Sequence, residues 1–391
     1  MPVIGLGIIF VILFLHQAKI PGHILEKLGR FDWFGSFLFT ASSTAFLFGL
    51  TTGGVMYEWD SWRVLLPLLI GVAGIVVFGW YEVRIATEPI ISRGIFTNWD
   101  MIITYVMTVF HGMILWSLLY FLSKFSSSFV SHGNDLSSDI NPTALYYQGV
   151  KFYSPITSSV AVLPETLTVA PAGMAVGIIA GITGHYRWSL WIGWVLTTLG
   201  GGLLLLLKPD TSVAAWIWLN VPIGMGTGML FPAMALSIQA ACEPALNGQA
   251  AAFYSFLRTF GQSVGVAISG VIFQNVFKRK LQDLPAFAGL ADQYSQEATL
   301  VVEIIKQMPK GADKDDLVTA YNESLRTIWI SLLAFAAFGL VLSVLIKGYS
   351  LNQEHVTNQG LVQQDRSENP TAEAAAVAEK NKDKDVEAGT A

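Results

Sequence analysis

Gly177-Ile-Ile-Ala-Gly181-Ile-Thr-Gly184-His185-Tyr-Arg187 joins two long apolar runs, 156–183 and 187–207, through a turn of a few residues. A bilayer-crossing helix takes roughly 20 mostly apolar residues, and each run is long enough. With so short a joint the two helices must lie antiparallel and side by side. The glycines permit a sharp reversal and close helix approach, and Arg187 gives the turn a basic edge. Outward from this hairpin the same length rule finds seven more runs, at about 1–16, 34–54, 63–82, 100–122, 213–241, 249–277 and 326–346. Of the 391 residues, 53% are hydrophobic and 13% charged, against about a quarter charged in soluble domains. That leaves too little polar surface to cover a core in water, which excludes a soluble enzyme. A net charge of −5 leaves no basic surplus for phosphates, so no nucleic-acid partner is expected. The one cysteine, Cys242, excludes an intrachain disulfide and a CxxC metal site. The chain reads as an all-α polytopic membrane protein whose first partner is the lipid bilayer.

The 1–16 run lacks the positive n-region and the small-x-small cleavage site of a signal peptide, and so reads as a span. Beyond about Ser350 the chain turns Gln-, Glu-, Ala- and Lys-rich without aromatics, a composition expected to stay disordered. One side of the membrane receives Lys19, Lys27, Arg30, Arg84, Arg93, Arg187 and Lys347. The other receives Arg63, Lys124, Lys151, Lys208, Lys278, Arg279 and Lys280. Setting aside the last three, which open a long acid-compensated connection, leaves seven against four. The excess of cations places the first set, and the tail, in the cytoplasm.

Further segments punctuate the spans. Tyr146-Tyr-Gln-Gly-Val-Lys151-Phe-Tyr-Ser154-Pro155 leads into Val162-Leu-Pro164. Arg30-Phe-Asp-Trp-Phe-Gly35, Trp59-Asp-Ser-Trp62 and Tyr81-Glu82 surround the second and third runs, and Gly248-Gln-Ala-Ala-Ala-Phe-Tyr-Ser-Phe-Leu-Arg258-Thr-Phe-Gly-Gln-Ser-Val-Gly265 opens the eighth. From about residue 3 to 346 these resemble the major facilitator superfamily, in its fungal drug:H+ antiporter branch with fourteen spans. The hairpin turn resembles the second-half copy of that superfamily's loop motif, G-x-L-a-D-r-x-G-r-k. Gly181 stands where the motif has Asp, and His185 where it has Arg.

The resemblance implies a domain plan. Residues 1–16 are a residual span of the N-terminal half, 17–33 a cytoplasmic linker, and 34–99 two extra spans with their linker. Residues 100–347 are the six-helix C-terminal half, with long extracellular loops at about 123–155 and 278–325, and 348–391 a disordered cytoplasmic tail. Five spans of the family pattern are absent, with the complete loop motif and the G-x-x-x-G-P-x-x-G-G antiporter motif. The expectation is a truncated form, with the missing N-terminal half as a partner.

Ionisable residues inside apolar spans are the first functional candidates, because burying a charge there costs several kcal/mol. His111, Glu165 and Arg258 meet that description, and by resemblance their spans line the central cavity. Glu165 lies about 14 Å into its span at 1.5 Å per residue. Asn220, Gln239 and Gln262 are neutral cavity candidates that serve equally as interhelical hydrogen-bond glue. Gly224, Gly226 and Gly228, with Gly261 and Gly265, read as packing faces. Pro164 and Pro171 should kink their helix. Trp59, Trp62, Trp188 and Trp329, near span ends, read as interfacial belt residues.

By resemblance the function is proton-coupled efflux of small amphipathic organic compounds (drugs, toxins or secondary metabolites) by alternating access. The proton gradient is the energy source, with no other cofactor and no metal, and the plasma membrane is favoured over the vacuolar one. Two other readings remain. One is a truncated, non-transporting fragment of such an exporter. The other is a membrane-embedded enzyme, which the absence of H-x-x-x-x-D and H-E-x-x-H disfavours. No nucleotide-binding loop is present to drive export.

Overall fold

The computed structural model describes residues 31–54, 56–86, 89–122, 146, 150–151, 160–208, 210–296 and 298–351, with positions 5, 10, 11, 13 and 29 besides. The chain divides into two units, residues 30–355 and the two ends together, and every helix below belongs to the first. Most of the expected span at 1–16, most of the 123–155 connection and the tail beyond 351 lie outside the described residues.

The first two helices, α1 (Trp33–Thr52) and α2 (Trp62–Arg84), form a hairpin whose ends are written in its sequence. Asp32 caps α1 by accepting from the Gly35 N–H at 2.8 Å, and its Oδ1 also accepts from the Tyr81 hydroxyl at 3.1 Å. One carboxylate thus starts α1 and ties it to the end of α2. The turn between them depends on Gly54 at φ +72°, with the Trp59 ring laid against Gly53 and Gly54. Gly71 meets the Phe46 backbone and Gly74 meets Ser42, so small residues bring the two helices close. Phe39 on Phe256 and Phe46 on Phe260, centroids 4.6 and 5.7 Å apart, lean the hairpin on the rest of the bundle.

Six long helices follow: α3 (Trp99–Leu122), α4 (Leu163–Thr183), α5 (Arg187–Leu204), α6 (Val213–Ala241), α7 (Asn247–Gln282) and, after two short helices, α10 (Ala312–Leu345). Glycines set their register. Gly261 faces Val109 and Gly265 faces Met113, so α3 and α7 run parallel. Gly224 faces Glu165 and Gly228 faces Val169, so α4 and α6 also run parallel. In contrast Gly226 meets Thr197 and Gly200 meets Ile223, which sets α5 antiparallel to α6. Trp194 lies on Gly339 and donates nothing there; its neighbour Trp191 gives its indole N–H to the Ser343 carbonyl at 3.0 Å, fixing α10 against α5. The α4–α5 turn is three residues long, with Gly184 at φ +68°, and Arg187 stacks on the Trp191 ring at 4.6 Å.

Seven described helices are long and apolar enough to cross a membrane. The exception among the eight long ones is α5, whose 18 residues include Arg187, three Trp and four Gly. Its place between α6 and α10 comes from packing rather than hydropathy.

Two expectations change. The connection at 278–325 is no loop: α7 runs to Gln282, α8 (Ala291–Gln296) and α9 (Ala298–Gln307) follow, and α10 has begun by Ala312. With 36 and 34 residues, α7 and α10 extend about 50 Å at 1.5 Å per residue, well beyond a hydrocarbon core of about 30 Å. Their overhanging ends pack through Phe273, Phe277 and Tyr321, and Lys280 pairs with Glu323. The early start of α10 also puts Trp329 deep in the helix, 2% exposed, so it is a core residue and not part of an interfacial belt. Trp62, 69% exposed at the head of α2, keeps the belt geometry.

At the opposite end of the bundle a polar clasp joins four elements. Asp100, in the first turn of α3, accepts from the Tyr349 hydroxyl at 2.5 Å and from the Lys347 N–H at 3.2 Å. The Tyr349 hydroxyl also meets Asn98, and its N–H is given to the Tyr186 hydroxyl at 3.3 Å. Desolvation and the neighbouring Asp100 raise the Tyr349 phenol above its ordinary pKa, so it stays a donor.

Candidate functional site

Midway along the bundle α3, α6 and α7 cross. Gly112 makes the crossing tight, since a Cβ there would strike the Arg258 carbonyl. His111 is fully buried, and its Nε2 lies 3.0 Å from the Thr227 carbonyl. A carbonyl only accepts, so Nε2 carries the hydrogen and Nδ1 presents its lone pair in the neutral ring. Nδ1 has no partner among the described residues. Arg258 is half-buried, its Cζ 4.0 Å from the Phe231 ring centroid and 5.8 Å from that of Tyr254. The Tyr254 hydroxyl donates to the Phe231 carbonyl at 2.8 Å, closing an aromatic pocket around the guanidinium. Arg258 Nε and Nη1 are likewise buried without a hydrogen-bond partner. His111 lies within electrostatic reach of Arg258.

The third ionisable group stands apart from this pair. α4 opens at Leu163 after a turn at Val162, and Pro164 occupies its first turn, where a missing N–H costs nothing. Glu165 therefore sits in that first turn, while residues 156–159 of the expected span lie outside the described set. Its depth is read from its neighbour: the Glu165 backbone packs on Gly224, 11 residues into the 29-residue α6, or about 16 Å along that helix. The side chain is 1% exposed, and neither carboxylate oxygen has a hydrogen-bond partner among the described residues. All three ionisable candidates thus carry buried, unsatisfied polar atoms, an arrangement that native proteins usually avoid.

The neutral candidates divide. Asn220 is buried and gives its amide to the Trp216 carbonyl of its own helix at 2.8 Å. Gln262 stands half-buried one turn beyond Arg258, beside Gly112. Gln239 is exposed near the far end of α6 and is not brought to the site. In the turn motif, Gly184 makes the reversal and His185 Nδ1 lies 2.6 Å from the Thr183 carbonyl. Gly177 and Gly181 face open space, so among the described residues no helix uses their close approach.

Thr227, Phe231 and Tyr254 are the site residues that sequence reasoning did not name. Tyr254 precedes Arg258 by four, the spacing that puts two side chains on one helix face, and that signal was available. Phe231 gives none, because an aromatic in an apolar span looks like any other. Among the described residues no group of three or more His, Cys, Asp or Glu is placed to hold a metal.

No protein-family model matches the chain. Its homologues are fungal transporters of the major facilitator type. It is 44% identical over 360 residues to MFS transporter L2 of a Phoma species, which covers 92% of this chain and 57% of that protein. It is 30% identical over 383 residues to MFS-type efflux pump LUC4 of a Fusarium species, covering 95% and 63%. It is also 30% identical over 369 residues to the acurin A biosynthesis cluster MFS-type transporter of Aspergillus aculeatus, covering 92% and 62%. The chain thus spans about three fifths of the length of these relatives. They are transporters and efflux pumps, not enzymes. With seven apolar helices of spanning length, they support an integral, multi-pass membrane protein similar to fungal major facilitator transporters.

Proposed function

From that kinship we propose that this protein is a fungal major facilitator exporter of the fourteen-span branch. It moves small amphipathic organic compounds out across the plasma membrane in exchange for protons. The observation that supports this reading is the set of buried ionisable groups with unsatisfied polar atoms inside an apolar helical bundle. Charge in such a place costs several kcal/mol, and intramembrane ionisable residues accordingly mark substrate and proton paths.

Glu165 is the proton carrier in this scheme. Its carboxyl group takes up or releases one proton without a partner to compete for it. His111 and Arg258, with Thr227, Phe231 and Tyr254, form the substrate-facing wall. Alternating access requires a second bundle to rock against this one, and we place it on the open faces of α4 and α7. On α7 that face reads Gly248, Ala252, Ser255 and Thr259, all exposed and small. Small and polar positions suit a wetted path better than a lipid contact. Driving energy comes from the proton gradient, with no nucleotide.

The test uses inside-out vesicles from yeast expressing the protein, with an acid lumen and a panel of anionic, neutral and cationic fluorescent amphipaths. At least one probe should accumulate, and a protonophore should abolish the accumulation. Glu165→Gln should remove gradient-driven accumulation while leaving exchange of labelled for unlabelled probe intact. Failure of every probe to accumulate, or accumulation indifferent to the protonophore, would overturn the exporter reading.

A further inference from the structure

A guanidinium in a membrane interior needs an anion. Arg258 has buried Nε and Nη1 atoms without hydrogen-bond partners among the described residues. The described ion pairs, Lys278–Asp292, Lys280–Glu323 and Lys306–Glu303, all lie in the overhanging cap and none involves it. Glu165, the carboxylate inside the bundle, packs at Gly224, seven residues along α6 from the Phe231 that covers the guanidinium, about 10 Å at 1.5 Å per residue. Among the described residues no charged group lies in reach of Glu165. The cation is held in place without being neutralised: Gly112 clamps its backbone to α3, and Phe231 and Tyr254 hold its head. A partly buried charge left without a counter-charge is costly, and an incoming opposite charge recovers that cost.

We infer that the site takes amphipathic organic anions, with the ligand's carboxylate bound by Arg258 and its apolar body on the aromatic wall. This rests on the exporter reading above and adds the charge class of the cargo. The approach is open, since Phe231 is 43% exposed and Ser255 and Thr259, flanking Arg258 on α7, are exposed. A neutral ligand of the same shape would leave the guanidinium unpaired. A cationic one would add repulsion to the same desolvation cost.

The experiment measures binding of three isosteric probes to the full protein in nanodiscs at pH 7, corrected against empty nanodiscs. They are 1-pyrenebutyrate, its amide 1-pyrenebutyramide, and 1-pyrenebutylamine. The butyrate should bind about tenfold or more tighter than the amide, as a charge-assisted hydrogen bond requires, and the amine weakest. Arg258→Gln should bring the ratio of butyrate to amide affinity to about one, whatever it does to the amide itself. Arg258→Lys should keep part of the preference. A wild-type-like melting midpoint shows that the Gln variant is folded, and the wild-type comparison needs no variant. Equal binding of all three probes, or a preference surviving Arg258→Gln, overturns the anion inference and leaves the exporter reading standing. Absence of binding by every probe overturns both.

Discussion

A side chain at residue 112 would fall on the Arg258 carbonyl and crowd the Gln262 N–H, so α3 and α7 cross where they do because Gly112 has none. Gly112→Val should push the helices apart and carry His111 and Arg258 with them. Overpacking of this kind costs about 1–3 kcal/mol, visible as a lower melting midpoint in detergent. Gly177→Val, at a position facing open space, should leave the midpoint nearly unchanged and serves as the comparison. His111, Glu165 and Arg258 could be picked out from sequence because an ionisable residue in an apolar run is conspicuous. Their partners could not. Thr227 contributes a carbonyl, which any residue has, and Phe231 is one of 24 phenylalanines. Gln239 misled for the opposite reason, being polar in an apolar run yet within three residues of its helix end, where water reaches it.

Among the elements, those that cross the apolar core were legible and those outside it were not. The apolar-run reading marks α1 to α7 and the later part of α10, because a buried helix in lipid must be apolar on every face. It is silent on residues 278–325, where Lys, Asp and Glu cover helices standing in water. Neither does the sequence show that Asp100 and Tyr349, 249 positions apart, meet at the base of the bundle. That clasp closes α10 onto α3, and Tyr349→Phe should weaken it. A hydrogen bond to a carboxylate contributes about 1.5–3 kcal/mol when buried, and Tyr349 is only half-buried, so a loss of about 1 kcal/mol is expected. The sign of the pH dependence follows from the raised phenol. Its contribution is complete below the ordinary tyrosine value of about 10, and is lost as pH rises through the higher folded-state value. The difference in melting midpoint between wild type and variant should hold constant from neutral pH to about 9 and shrink beyond it. A difference that vanishes already near neutral pH would remove the phenol from the clasp.

For the molecule as a whole, two kinds of exposed helix face need separating. Along α2 the exposed residues include Leu65, Leu66, Leu69, Ile70, Val72, Val76 and Val77, a surface suited to lipid tails. On α7 the exposed stripe carries Gly248, Ala252, Ser255 and Thr259 and runs beside Arg258. Burial alone treats these faces alike, while their chemistry assigns one to hydrocarbon and the other to a wetted path. Cys242 is the one native cysteine and is buried, so background labelling should be low and Cys242→Ala gives a clean starting protein. A cysteine placed at Ser255 or Thr259 should react with a charged, membrane-impermeant maleimide in open membrane fragments, because thiolate formation needs water. One placed at Leu69 or Val76 should not. Adding 1-pyrenebutyrate should slow labelling at Ser255 and Thr259 if they border the anion site, and should leave a cysteine in the cap, at Asn275, unaffected. Equal reactivity on the two faces would mean that α7 turns its small-residue stripe to lipid, and the transport path would then have to run elsewhere in the bundle.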